Sequence, residues 1–369
     1  MLAIGDRRGG FTDRWIECCR KRMVPFKLVD CTSSNIISQL EGVDALLWHP
    51  WQLRSEDMLM AHCLIMAVEA AGRIVYPNTA TFWHFDDKLA QKYLLEATGA
   101  PLVPTHVFFD RKTALEWIER ASFPKVFKLR RGAGSSNVSL VRNASEARAL
   151  VSRAFGRGFQ PVSSVFDDMG VKFRRHRRQA DIISVAKRLP GLVLANFHAQ
   201  NAMAREKGYV YFQDFVPGNV FDTRVTIIGE RAFGFTRNVR PNDFRASGSG
   251  DIIYEAARID LECIRIGVAI AERLAFQSMA FDFLKDAAGA PQLCEISFGF
   301  AAEAVHACPG WWDQSLRWHE GGVWPQDAIL EGVLAEIRRK TETKTAGSPR
   351  HDIATSSVSA PPRLEFTVE

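Results

Sequence analysis

The strongest constraint on this chain is the stretch Met279-Ala280-Phe281-Asp282-Phe283-Leu284, a turn at Ala288-Gly289, and then Gln292-Leu293-Cys294-Glu295-Ile296-Ser297. Two apolar runs around a short glycine-containing turn specify a β-hairpin. With the turn centred between Ala288 and Gly289, Asp282 stands opposite Glu295, and opposed side chains share a face about 5 Å apart. Ser297 is two residues further on and shares that face, while Phe281, Phe283 and Ile296 point the other way. Two carboxylates this close repel unless a cation sits between them. Mg²⁺ suits such a pair, because it takes a few hard oxygen ligands and completes its shell with phosphates or water. The same segment also fits an ordinary strand, with Asp282 facing solvent and Glu295 at an edge.

A second signal is Phe123-Pro124-Lys125-Val126-Phe127-Lys128-Leu129, followed by the small-residue loop Gly132-Ala133-Gly134-Ser135-Ser136 and another strand from Val138 to Val141. Such a loop exposes backbone N–H groups to phosphate oxygens, and Lys128 adds a point charge. It is neither a Walker A loop nor a dinucleotide fingerprint, because it joins strand to strand and lacks those spacings. A flexible hairpin with a snorkelling lysine is the plainer reading. In Asp87-Lys88-Leu89-Ala90-Gln91-Lys92 the two lysines are four apart on one helix face, which also fits a solvated basic face.

Around these signals the pattern divides. Residues 1–85 alternate short apolar runs (Leu2–Ile4, Phe26–Val29, Ala45–Trp48, Arg73–Tyr76) with helical patterns (Trp15–Arg22, Ile36–Leu40, Met58–Ala71), as in a small parallel α/β sheet. After a helix over 86–99, strands at Val103–Phe109, Lys125–Leu129, Val138–Val141, Tyr209–Val216, Thr223–Ile228, Arg231–Thr236, Met279–Leu284 and Gln292–Ser297 indicate antiparallel α+β structure. Helices are expected at Lys112–Ala121, Ala144–Ala154 and Arg258–Leu274. Residues 341–369 are rich in Ser, Thr, Pro and Ala, and read as a disordered tail. The chain of 369 residues carries a net charge of +5, which suits an anionic ligand and does not argue for DNA. Its seven cysteines show no CxxC spacing, so reduced thiols in a cytoplasmic protein are expected. The longest apolar stretch, near Cys63–Val68, is too short to span a bilayer. The basic run Lys172-Phe173-Arg174-Arg175-His176-Arg177-Arg178 fits a solvated face or an acidic substrate, and no helix-turn-helix or zinc spacing supports nucleic-acid binding.

Taken in order, these blocks resemble the ATP-grasp superfamily, in particular its carboxylate–amine ligases such as glutathione synthetase, D-alanine–D-alanine ligase and the RimK-like ligases that extend protein C-termini. The resemblance covers roughly residues 74–300. It rests on Asp87-Lys88 with Gly99-Ala100-Pro101; Phe123 to Val141; Gln213-Asp214-Phe215-Val216-Pro217-Gly218 with Asp222-Thr223-Arg224-Val225; Asn242-Asp243-Phe244-Arg245; and Phe281-Asp282 with Glu295-Ile296-Ser297. It implies an ATP-grasp fold of mixed α/β and α+β type. A Rossmann-like N-terminal domain would occupy 1–85. The ATP-grasp domain would occupy 86–330, with ATP between subdomains 86–212 and 213–330, and a terminal helix and tail would fill 331–369.

The resemblance further implies that Lys88 and Lys128 hold the ATP phosphates under a flap at Gly132, Gly134, Ser135 and Ser136. Backbone at Gln213, Asp214 and Val216 would read adenine, and Asp222 would bind the ribose. Arg224, Arg237 and Arg245 would contact the transferred phosphoryl group or the substrate carboxylate. Asp282, Glu295 and Ser297 would ligate one or two Mg²⁺ ions, with Mn²⁺ an acceptable substitute. Ser297 stands where the family usually places Asn. The implied reaction is carboxylate activation by ATP and capture by an amine. Turnover-free nucleotide binding by a scaffold, or a kinase reaction, are the alternatives. The tryptophan-rich C-terminal segment and Gly9-Gly10-Phe11-Thr12-Asp13-Arg14-Trp15 are similar to ATP-grasp proteins of bacterial surface-polysaccharide gene clusters, which points to an amino acid and a sugar or peptide precursor as substrates.

Overall fold

The computed structural model describes residues 1–7, 9–52, 54–132, 137–161, 205–240 and 243–346. The N-terminal segment forms β1 (Leu2–Gly5), α1 (Phe11–Lys21), β2 (Phe26–Val29), α2 (Ile36–Gln39), β3 (Ala45–Leu47), α3 (Ser55–Ala70) and β4 (Ile74–Tyr76). The four strands are parallel, in the order β2-β1-β3-β4. β1, β3 and β4 are buried along their whole length, as strands covered on both faces must be. α1 begins four residues earlier than its apolar periodicity suggests. The Thr12 hydroxyl donates to the Gly5 carbonyl at 2.8 Å and ties the first turn to β1.

Next come α4 (Thr79–Phe82) and α5 (Lys88–Ala97), then a four-stranded antiparallel sheet ordered β5-β8-β6-β7. Its strands are β5 (Thr105–Phe108), β6 (Lys125–Lys128), β7 (Val138–Val141) and β8 (Val210–Asp214), covered by α6 (Arg111–Ile118) and α7 (Ala144–Ala154). A second antiparallel sheet runs β13-β12-β9-β10-β14-β15, with β11 also pairing β10. It comprises β9 (Phe221–Ile228), β10 (Arg231–Asn238), β11 (Ile252–Ile253), β12 (Ser278–Lys285), β13 (Pro291–Ser297), β14 (Gly310–Trp312) and β15 (Trp318–Glu320). α8 (Leu261–Arg273) packs on one face: a Cβ at Gly267 would lie 3.5 Å from both Phe281 and Val225. α9 (Ala302–His306) and α10 (Pro325–Ala346) complete the chain.

Two cores result. One is continuous from the parallel sheet into the seven-stranded sheet, and takes in Leu95 of α5. The other, built on Phe127, Phe212, Ile118 and Val151, belongs to the four-stranded sheet alone. Residues 86–104 therefore pack with the large lobe rather than with the strands that follow them. Backbone bonds of Val103 and Leu293 to Leu293 and Pro101 tie this segment to β13. The chain crosses between lobes again at 215–220. There Asn219 both donates to and accepts from the Lys285 backbone at 2.9 Å.

The tail expectation needs correcting at its start. α10 opens on a proline, a residue suited to the first helical turn, and continues through Ala346. Ile329, Leu330 and Val333 are buried in the large core, and Trp15 donates to the Gln326 carbonyl at 3.1 Å, which anchors the helix to α1. Residues 347–369 and the basic run 172–178 lie outside the described residues. Among the described residues no helix is long and apolar enough to cross a membrane.

Candidate functional site

The hairpin β12–β13 pairs Ala280 with Ser297, Phe281 with Ile296 and Asp282 with Glu295. Beyond Asp282 the register slips, and Phe283 meets Leu293. Cys294 is thus the extra residue of a β-bulge. The slip keeps Phe281, Phe283, Leu293 and Ile296 in the core while Asp282, Glu295 and Ser297 share the opposite face. The bulge frees the Cys294 carbonyl from the ladder, and two side chains of the small lobe use it: Lys128 Nζ at 3.2 Å and Gln213 Nε2 at 3.5 Å. Gln213 also donates to the Thr105 hydroxyl at 3.1 Å. Burial pushes the Cys294 thiol up to about 12, so it is a protonated neighbour and not a nucleophile.

Asp282 does not wait as an open ligand. Arg224, its partner across β9–β12, donates to Oδ1 at 2.6 Å and Oδ2 at 2.7 Å, and Arg237 reaches Oδ2 at 3.0 Å. Arg237 in turn holds Asp222 bidentately at 2.8 and 2.5 Å. Burial works against the Asp282 carboxylate, but the two guanidinium groups prevail and hold its pKa well below the usual range. Asp222, expected at a ribose, is buried with both oxygens on Arg237. It acts here as that arginine's counter-ion.

Lys88 enters from α5. Asp87 caps the helix by accepting from Leu89 and Ala90, and pairs with Arg130. That arrangement fixes Lys88 as the first helical residue, with its backbone N–H on the Arg130 carbonyl at 3.0 Å. Its ammonium donates to the Gly132 carbonyl at 2.7 Å and lies 3.3 Å from Glu295. Burial opposes the Lys88 charge, but Glu295 and Asp86 outweigh it and raise its pKa, whereas burial lowers that of Lys128. Only 4%, 6% and 5% of Lys88, Lys128 and Asp282 is exposed, so this is a closed, charged cleft between the lobes.

Asp86, which the sequence reading passed over, belongs to the same cleft. It accepts from the Gly132 backbone at 2.8 Å, and burial pushes its carboxyl up to about 6. A raised folded-state pKa means that the folded chain holds this proton after the unfolded chain has released it. The resulting stability is complete below the ordinary carboxyl value, 3.8, and is lost as pH rises to about 6. Asp86→Asn is expected to remove a loss on the order of 2 kcal/mol over that window. Denaturant titrations of both proteins at pH 4 and 7 check it.

The remaining expected residues are placed less centrally. Arg245 pairs with Asp243 at 2.7 Å on the loop after β10. Asp214 ends β8 with its carboxylate 2.5 Å from Lys125, and the Val216 carbonyl accepts from Asn219 in the inter-lobe connection. Gly132 is the last described residue before the expected flap, and Gly134, Ser135 and Ser136 lie outside the described residues. The Ser297 hydroxyl accepts from Gly299 at 3.2 Å. A Cβ on Gly299 would stand 2.8 Å from the Phe85 ring. Gly299→Ala is therefore expected to cost about 1–3 kcal/mol by overpacking and to displace Ser297; chemical denaturation reads the first effect.

Among the described residues no three His, Cys, Asp or Glu side chains form a ready metal cage. The donor set fits a hard cation even so. Asp282 Oδ1 accepts one hydrogen bond and keeps a second lone-pair direction. Glu295 stands opposite it, with a third of its side chain exposed. Two carboxylates completed by a ligand's own oxygens is how Mg²⁺ is commonly held.

No protein-family model matches the chain, and no curated protein matches it by sequence. Solved structures do match in fold. An ATP-grasp RimK domain protein from Sphaerobacter thermophilus superposes with TM-score 0.53 at 15% identity, over 90% of this chain and 100% of that one. D-alanine–D-alanine ligase from Bacillus anthracis gives TM-score 0.54 at 12% identity, over 93% and 98%. The ATP-grasp ligase PsnB, complexed with a minimal precursor, Mg and ADP, gives 0.51 at 13%, over 92% and 98%. The chain has the ATP-grasp fold.

Proposed function

We propose that this chain is an ATP-dependent ligase that activates a carboxylate as an acyl phosphate and joins it to an amine. The observation that carries the proposal is the convergence of Lys88, Lys128, Asp282 and Glu295 in one closed cleft. They come from a helix start, a strand of the small lobe and a hairpin of the large lobe. No local structural need brings buried lysines and paired carboxylates together, whereas a polyanion with its cation uses both. The structures that share the fold support the reading, since two of them are named as ligases and one of those holds Mg and ADP.

In this proposal Lys88 and Lys128 exchange the Gly132 and Cys294 carbonyls for phosphate oxygens. The backbone at Gln213–Val216 receives the adenine. Asp282 and Glu295 hold Mg²⁺, and the number of ions turns on Ser297. The bound ion would neutralise phosphate charge. A substrate carboxylate oxygen attacks the γ-phosphorus, the bond to the β-phosphate oxygen breaks, and ADP leaves. An amine then attacks the acyl carbon, phosphate departs with the bonding pair, and the amine proton passes to solvent. The attacking anion meets an anionic phosphate, so alignment and positive charge from Lys88, Lys128 and Arg224 lower the barrier.

Release of both ADP and free phosphate, dependent on an acid and an amine together, tests the assignment. A stable phosphorylated product would make it a kinase instead. The engaged Ser297 hydroxyl favours a second reading, a scaffold that binds Mg-ATP without turnover. Calorimetric binding of Mg-ATP with no ADP release across a broad panel of acids and amines would establish that reading.

A further inference from the structure

The parallel sheet has its own topological switch. β1 is followed in the chain by a strand on one side (β2), and β3 by a strand on the other (β4), so the order reverses between β1 and β3. Ligands of open α/β sheets bind in the crevice beyond the carboxyl ends of such a strand pair. Here the two ends are drawn tightly together: a Cβ on Gly5 would fall 2.7 Å from the Trp48 ring.

A guanidinium is positioned at that crevice. Arg7 Nη1 donates to Asp57 at 2.7 Å, and Nη2 to the His49 carbonyl at 2.6 Å. Asp57 is 1% exposed and also accepts from the Trp51 backbone at 2.8 Å, so it is a fixed anchor. The Arg7 carbon lies 5.7 Å from the centre of the partly exposed Trp51 ring. Among the described residues two of its five N–H donors are engaged, and about a quarter of the side chain is open to solvent. A guanidinium held along one edge and open along another is built to receive a planar oxyanion.

The crevice adjoins the charged cleft. The His49 ring stacks on Phe11 at 3.9 Å and lies tilted against Phe298 at 4.9 Å, and Phe298 directly follows Ser297. Gln52 Oε1 would lie 3.6 Å from a Cβ on Gly299. Trp51, beside Arg7, and Gln52, beside Gly299, are consecutive residues, so Arg7 and the Ser297 end of β13 border the same short segment.

We infer that Arg7, oriented by Asp57, is a specificity residue that binds a non-reacting carboxylate on one of the two co-substrates. Those substrates are then an acid or an amine carrying a further carboxylate, of which amino acids and short peptides are the simplest examples. This rests on the ligase reading and narrows its substrate class.

The test uses the full chain, with and without Mg and the non-hydrolysable analogue AMPPNP. Thermal shift and calorimetry are run against the L- and D-amino acids, glycyl dipeptides and their carboxamides. At least one free carboxylate is expected to bind, and its carboxamide to bind about tenfold or more weakly. Arg7→Gln alone strands the buried Asp57 charge, so the variant is Arg7→Gln with Asp57→Asn. It is expected to lose the preference for carboxylate while keeping its Mg-AMPPNP affinity. The inference is overturned if carboxylate and carboxamide bind alike, if the double variant keeps the preference, if inorganic phosphate competes as well as the carboxylate, or if no carboxylate binds through Arg7. Absence of Mg-AMPPNP binding would instead remove the ligase reading, while Arg7-dependent binding to the nucleotide-free chain would still be measurable.

Discussion

Replacing Asp282 with alanine is expected to lower the unfolding free energy by about 3–5 kcal/mol, the scale for removing one partner of a buried ion pair. Arg224 and Arg237 would lose their shared carboxylate in a cleft where Arg237 is buried and Arg224 largely so. Denaturant unfolding gives the number. Adding Arg224→Leu should recover part of the loss, because the stranded charge goes with it; no recovery would mean that the two arginines are not what Asp282 stabilises. The pH dependence follows the same logic with the opposite sign to Asp86. Asp282 has a depressed pKa, so its stabilisation is complete above the ordinary carboxyl value and fades as pH falls through the acid range. Loss of ADP release in Asp282→Ala will therefore mix a folding effect with a ligand effect.

Glu295→Gln separates the two. Glu295 is a third exposed, and among the described residues its one ion pair is with Lys88, which keeps the Gly132 carbonyl and Asp86 nearby. Stability should fall by on the order of 1–2 kcal/mol, less than for Asp282→Ala, because Lys88 is buried but keeps the Gly132 carbonyl and Asp86. Turnover should fall on the order of 100-fold or more, the scale for deleting one group that stabilises charge in a transition state. Steady-state ADP release and a melting curve on the same preparation provide both numbers. An unfolding transition shifted as far as that of Asp282→Ala would assign Glu295 a structural role, and undiminished turnover would remove it from the site.

These two carboxylates also mark what a reader of the sequence could see. Alternation of apolar and polar residues in β12 and β13 is strong enough to place Asp282 opposite Glu295. The bulge at Cys294 was not legible, because a register centred one residue away leaves the same residues at the turn, and only packing of both Phe283 and Leu293 into the core selects the slip. Which arginine neutralises which aspartate depends on pairing among β9, β10 and β12, and the Arg224–Asp282 pair itself joins residues 58 apart in sequence. Local pattern carries nothing about that choice, so the Arg237–Asp222 pair was not legible. β14 and β15 escaped notice for another reason. Three-residue strands such as Gly310–Trp312 and Trp318–Glu320 are too short for alternation to register. Asp86 needed only its place before the Asp87 cap, but its role comes from Gly132, far along the chain.

Under the proposed function, the carbonyl of Cys294 bears on how fast the nucleotide arrives. Lys128 and Gln213 reach it across the cleft, so these two bonds latch the lobes to each other. Collision with the closed chain is then unproductive, and entry waits on an opening motion of the kind that takes microseconds to milliseconds. The observed association rate rises with nucleotide concentration only until opening becomes the slower step, and then levels off. Lys128→Ala and Gln213→Ala would each raise that plateau although only the first removes a proposed phosphate contact, so the speed of capture and its tightness can be changed independently through one backbone oxygen.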